Sequence, residues 1–197
     1  MRHHKSLQKR SLYIVNGITV YRIIAAPVLI YIIIIKDDNL FKWLLALSFF
    51  SDAIDGFLAR RYKVTSILGS RLDSIGDDLT IAAAFAGLIF IKMQFIKDEI
   101  LVFFILLLLY LLQNILALIK YHKTTSFHTY IAKTAAVFQG LFLILIFFLT
   151  KPYMPLFYTA AILTALDLIE ETIMILLLPE WKSDIKGLYW IKKSDKP

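Results

Sequence analysis

Six long hydrophobic stretches follow one another along the chain, near Tyr13 to Ile35, Leu40 to Ala59, Ile67 to Ile91, Ile100 to Leu118, Tyr130 to Leu149 and Tyr153 to Leu178. Each is long enough to cross a hydrocarbon core about 30 Å thick as a helix. The joints between them are short and polar, such as Lys36-Asp37-Asp38-Asn39 and Lys97-Asp98-Glu99, and leave no room for a soluble domain. The pattern predicts an all-α polytopic membrane protein, a bundle of six transmembrane helices forming a single domain over residues 1–197. Residues 1–12 read as a basic juxtamembrane segment. They lack the short apolar core and small-residue cleavage site of a secretory signal peptide. Residues 181–197, with Trp190 and several lysines, read as a basic interfacial tail.

Composition agrees with this reading. Hydrophobic residues make up 59% of the chain and charged residues 19%, and the mean hydropathy is +0.70, far more apolar than a soluble domain. There is no cysteine, which excludes disulfides, thiolate-ligated zinc and a thiol nucleophile, and leaves oxygen ligands as the metal chemistry available. The net charge of +7 does not indicate nucleic acid, because Lys and Arg collect in the cytoplasmic loops of membrane proteins and face anionic lipid.

The basic residues also set an orientation. With six alternating helices, Arg2, Lys5, Lys9, Arg10, Arg60, Arg61, Lys63, Lys120, Lys123, Lys182, Lys186, Lys192 and Lys193 fall on one side, against Lys36, Lys92, Lys97 and Lys151 on the other. The positive-inside rule then places both termini and the loop between the second and third helices in the cytoplasm. The expected location is a bacterial inner (cytoplasmic) membrane.

Flanking that loop stand four carboxylates, Asp52, Asp55, Asp73 and Asp77. An ionised carboxylate near hydrocarbon costs about 2.5 kcal/mol or more on insertion scales, so the set demands a compensating cation or a wet cavity. Asp52, Asp55, Gly56 and Ala59 recur at steps of three and four and share one helix face; Gly69, Asp73 and Asp77 do the same on the next helix. Two carboxylate pairs facing one another across small residues, with neither Cys nor His beside them, suit two hard divalent ions, Mg²⁺ or Mn²⁺. A two-ion clamp is suited to phosphoryl transfer, and Arg60 is placed to hold a phosphate. Taken alone, Arg60 is equally an ordinary basic anchor beside Arg61 and Lys63.

The run Asp52-Ala53-Ile54-Asp55-Gly56-Phe57-Leu58-Ala59-Arg60, followed after Leu68 by Gly69-Ser70-Arg71-Leu72-Asp73-Ser74-Ile75-Gly76-Asp77, resembles the signature of the CDP-alcohol phosphatidyltransferase family, with every fixed position filled. The length and helix layout fit that family over most of the chain. The resemblance implies that Asp52, Asp55, Asp73 and Asp77 hold two divalent ions and that Asp77 is also the base for the acceptor hydroxyl. It implies further that Gly56, Arg60, Gly69, Ser66 and the segment Asn16-Gly17-Ile18-Thr19 bind the CDP-linked lipid donor, a small polar alcohol being the acceptor. A homodimer among membrane lipids, with no nucleic-acid partner, is the implied assembly. Leu72-Asp73-Ser74 resembles the versions in phosphatidylserine and phosphatidylinositol-phosphate synthases more than the Leu-Asp-Pro of glycerophosphate transferases.

Two other readings stand beside this one. A CDP-choline or CDP-ethanolamine type of enzyme would use the same motif with diacylglycerol as acceptor. A membrane transporter would use the carboxylates for cations, although ion transport needs neither Gly56 nor Arg60. Outside the motif, Asn16, Thr19 and Arg22 either line the nucleotide pocket or form the interfacial start of the first helix. Lys120, Lys123 and Lys133 either meet an acceptor phosphate or belong to a plain basic loop. His122 and His128 lack helical ligand spacing. Asp167, Glu170 and Glu171 share a face of the last helix and need partners, from a polar acceptor, Lys133 or a second subunit. Gln113, Asn114 and Gln139 read as interhelical hydrogen-bonding residues.

Overall fold

A computed structural model describes residues 2–62, 67–123, 125, 127, 129–181 and 185–189, with the side chains at 2–16, 53, 55–62, 67–71 and 73–74 outside the description. All regular structure among the described residues is helical: α1 (Arg2–Ile34), α2 (Asp38–Tyr62), α3 (Ile67–Ile91), α4 (Met93–Asp98), α5 (Ile100–Tyr121), α6 (Tyr130–Phe148) and α7 (Met154–Leu177). The six long helices coincide with the six hydrophobic stretches. The short α4 is additional and occupies what the sequence offered as a polar joint. α1 also begins earlier than its apolar stretch, so the basic opening segment is helical from Arg2.

Among the described residues, three segments are long and apolar enough to cross a membrane: Gly17–Ile34 of α1, α5 and α6. In α2, α3 and α7 the apolar run is interrupted by carboxylates, which are the groups that call for a functional or structural explanation. Large side chains point outward along the long helices, Phe90 of α3 and Ile119 of α5 being 73% and 70% exposed. Such a surface is at home against hydrocarbon.

The helices form two compact units, Met1–Phe95 and Ile96–Pro197. In the first, α1 packs against both α2 and α3. Its buried face, Thr19, Arg22, Ala26 and Leu29 with Ala25 and Ile32 beside them, repeats at steps of three and four. α2 answers with Phe41, Leu45 and Ser48, and α3 with Thr80, Ala84 and Leu88. Small residues at Ala25, Ala26, Ala83 and Ala84 let the helices approach closely, the main source of attraction where no water remains to be expelled. Two buried hydroxyls are satisfied within their own helices, Ser48 donating to the Leu44 carbonyl at 3.0 Å and Thr80 to the Gly76 carbonyl at 2.8 Å.

A tight reversal joins α1 to α2. Lys36 takes the left-handed conformation, φ 59°, and the amides of Lys36 and Asp37 return to the carbonyls of Ile33 and Ile32 at 3.1 and 3.3 Å. This is the bond pattern with which a helix usually ends on glycine. Asp37 then opens α2, its carboxylate accepting from the Leu40 amide at 2.9 Å.

In the second unit, α5 and α6 each pack on α7. Ala117, Phe127, Met174, Ile175 and Leu178 make a core that the segment after α7 covers with Ile185 and Leu188. Phe157 stacks at a tilt against Phe103 and Phe142, with ring centres 5.7 and 5.2 Å apart.

Candidate active site

The buried stripes of α1, α2 and α3 end together in charge. The α2 stripe Phe41-Leu45-Ser48 reaches Asp52 at its next step, and the α3 stripe, traced back from Leu88 through Ala84 and Thr80, reaches Asp77. Opposite them on α1 stands Arg22. Its Nη1 donates to Asp52 Oδ1 at 2.7 Å, and its Nη2 donates to Asp77 Oδ1. One guanidinium therefore ties the first and last aspartates of the motif across two helices. Its fork geometry suits this bridging, since the two terminal nitrogens diverge toward separate acceptors.

Burial in this cluster is lopsided. The Arg22 side chain is 1% exposed, whereas those of Asp52 and Asp77 are 44% and 42% exposed. The cation thus lies behind the carboxylates, which keep an open side. Gly76 lies against it; a Cβ there would sit 3.6 Å from both Cβ and Cζ of Arg22, in ordinary contact. Thr19, one turn before Arg22, is buried as well. Both residues lie well inside α1, which is helical from Arg2, and Arg22 faces Asp52 and Asp77.

The other motif residues have side chains largely outside the description. Asp55, Gly56, Arg60, Gly69 and Asp73 lie in α2 and α3, but their side chains are outside the description, as is that of Asn16 in α1; Ser66 is outside it altogether. Among the described residues no group of three or more His, Cys, Asp or Glu side chains is close enough to hold a metal. The described part of the set is the Asp52 and Asp77 pair.

A second polar cluster occupies the other unit. The three acids of α7 accept from partners the sequence did not indicate: Asp167 from the Thr129 hydroxyl at 3.0 Å, Glu171 from the Gln113 amide at 2.7 Å and the Thr125 hydroxyl at 3.2 Å, and Glu170 from the Leu188 amide at 3.1 Å. Thr129 also caps α6, accepting from the Ala132 amide at 2.9 Å. The acids thus pin the α5–α6 loop and the segment after α7. Gln113 is the interhelical residue its sequence suggested, and so is Gln139, which donates to Thr164 at 2.5 Å. Lys120 turns to the end of α7, donating to the Ile175 and Leu176 carbonyls at 2.8 and 3.1 Å. Lys123 lies over the Trp181 ring and Lys133 over the Tyr130 ring, both with exposed side chains.

Comparison with known proteins bears on this arrangement. The chain is 38% identical to the human protein "Cardiolipin synthase (CMP-forming)" over 84 residues, 42% of this chain and 28% of that protein. It is 38% identical to the rat protein of the same name over 74 residues, 37% of this chain and 24% of that one. The similarity therefore spans about a quarter of the length of these relatives. No solved structure matches. The sequence model of the CDP-alcohol phosphatidyltransferase family matches residues 12–176, running through both units and the whole aspartate motif. With the signature filled and the match covering most of its length, the chain belongs to the CDP-alcohol phosphatidyltransferase family.

Proposed function

We propose that this protein moves a phosphatidyl group from CDP-diacylglycerol to an alcohol acceptor and releases CMP. It does so as one membrane domain, with the site open to the cytoplasmic side, where the basic residues collect. The observation that carries the reading is the filled family signature, together with the approach of Asp52 and Asp77 to a single cation across α2 and α3.

The donor set fits two Mg²⁺ or Mn²⁺ ions. It is all oxygen, it comes from two helices, and its described members keep an open side. Asp52, Asp55, Asp73 and Asp77 would hold the ions. When bound, they supply charge neutralisation for the pyrophosphate and for the leaving CMP oxygen. Asp77 takes the proton of the acceptor hydroxyl, and the resulting oxygen attacks the phosphorus that carries the lipid. The bond from that phosphorus to the CMP oxygen breaks, so no protein nucleophile is needed. Arg60, Gly56, Gly69, Ser66 and Asn16 position the CDP moiety, Arg60 through its guanidinium and the glycines by leaving space, and Thr19 is buried on α1.

Two acceptor classes have support. Leu72-Asp73-Ser74 favours a small polar alcohol such as serine or inositol phosphate. The cardiolipin synthase relatives favour a glycerol hydroxyl already carried on a lipid, because a cardiolipin is two phosphatidyl groups on one glycerol. Purified protein with Mg²⁺ and labelled CDP-diacylglycerol, offered serine, glycerol 3-phosphate, inositol phosphate, inositol and phosphatidylglycerol separately, distinguishes them. One acceptor should accelerate CMP release and appear in the labelled lipid product. CMP release that no acceptor accelerates, or that persists in EDTA, would refute the proposal.

A further inference from the structure

Acids and lysines share one end of the second unit without neutralising one another. α5 ends there at Tyr121 and α6 begins there at Tyr130; the segment after α7 meets them, the Tyr130 amide donating to the Lys186 carbonyl at 3.3 Å. Asp167, Glu170 and Glu171 accept from neutral donors, namely Thr129, the Leu188 amide, Gln113 and Thr125. Lys123 and Lys133 instead lie over the rings of Trp181 and Tyr130, 5.2 and 6.0 Å from the ring centres, and among the described residues neither is paired with a carboxylate. A ring face occupies one side of an ammonium and leaves N–H donors directed outward. Both lysines are exposed, and so are Tyr130, Trp181 and Tyr189. Lysines on long stems beside amphipathic rings, at the ends of apolar helices, match the headgroup layer of a bilayer in depth and its anionic phosphates in charge.

We propose that Lys123 on Trp181 and Lys133 on Tyr130 form a docking surface for the phosphates of anionic phospholipids in the bilayer that the protein occupies. The lipid is bound there and not consumed. The surface is composite, since Lys123 follows α5, Lys133 lies in the first turn of α6 and Trp181 follows α7. It therefore exists only when the unit is folded. Lys120, at the same end, is not part of it, because its ammonium is spent on the Ile175 and Leu176 carbonyls.

Native mass spectrometry of the full chain in detergent, titrated with phosphatidic acid or phosphatidylcholine, tests this. Phosphatidic acid is anionic and carries no alcohol hydroxyl that could serve as acceptor. Wild type should bind it more tightly than phosphatidylcholine. Lys123→Gln and Lys133→Gln should each weaken phosphatidic acid about fivefold, the effect of one lysine at an anionic lipid surface, and leave phosphatidylcholine unchanged. Lys123→Arg and Lys133→Arg, which keep the charge, should bind both lipids as wild type does. Lys151→Gln, at an exposed lysine beyond the other end of α6, should also bind both as wild type does. Equal binding of the two lipids by wild type, or an equal loss in Lys151→Gln, overturns the proposal. So does a Lys123→Gln or Lys133→Gln protein that keeps its preference for phosphatidic acid while its acceptor KM rises, which would assign the lysine to the acceptor instead.

Discussion

Replacing Arg22 with methionine keeps most of the side-chain volume and removes the guanidinium that joins α1 to α2 and α3. The loss has two parts: two charge-assisted bonds disappear, and two carboxylates are left facing one another. Removing one partner of a fully buried ion pair costs about 3–5 kcal/mol. Here the carboxylates are roughly half-exposed and water takes over part of their solvation, which lowers the expected cost to about 2–3 kcal/mol. For a chain of this length that corresponds to a fall in Tm of about 4–12 °C. Thermal unfolding in detergent, followed by tryptophan fluorescence, measures it, since Trp43 lies on α2. The bridge itself is isolated by a double-mutant cycle: Arg22→Met should cost less in an Asp77→Asn background, with a coupling of about 1–2 kcal/mol. An Arg22→Met protein that melts with wild type, or losses that simply add, would refute the bridge.

Other outcomes follow from the second unit. Thr129→Val removes both the α6 cap and the bond to Asp167, and should cost about 1–3 kcal/mol in detergent unfolding. Gly187→Ala should loosen the segment after α7, because Gly187 has φ 144° and an added Cβ would lie 3.0 Å from Glu170 Oε1; limited proteolysis should then cut that segment faster. Lys120→Met should lower Tm by a few degrees through loss of its bonds to the α7 carbonyls, at about 0.5–1 kcal/mol, and leave the acceptor KM unchanged. Glu170→Gln should retain metal-dependent donor binding in equilibrium dialysis, since its partner is the Leu188 amide.

What the sequence disclosed and what it hid divide along physical lines. Long apolar runs are local patterns, so the six long helices are readable directly. The ties of Arg22 to Asp52 and Asp77 are not legible in the sequence, because these partners stand 30 and 55 residues away and nothing local signals them. The face shared by Asp167, Glu170 and Glu171 was legible in the same way, while their partners Thr129, Gln113, Thr125 and Leu188 come from other elements. The short α4 escaped because its few residues carry no hydrophobic period of their own. Lys36 in the left-handed conformation escaped because that position ordinarily announces itself with glycine.

The central claim is that the motif aspartates perform metal-dependent phosphatidyl transfer with Asp77 as the base. The most direct measurement compares wild type with Asp77→Asn in acceptor-dependent CMP release from CDP-diacylglycerol, with donor binding followed in the same preparations. Wild type should release CMP only with divalent metal, and Asp77→Asn should bind the donor while losing transfer by about a hundredfold or more. Substantial acceptor-dependent turnover by Asp77→Asn, or wild-type turnover unaffected by removal of metal, would contradict the account.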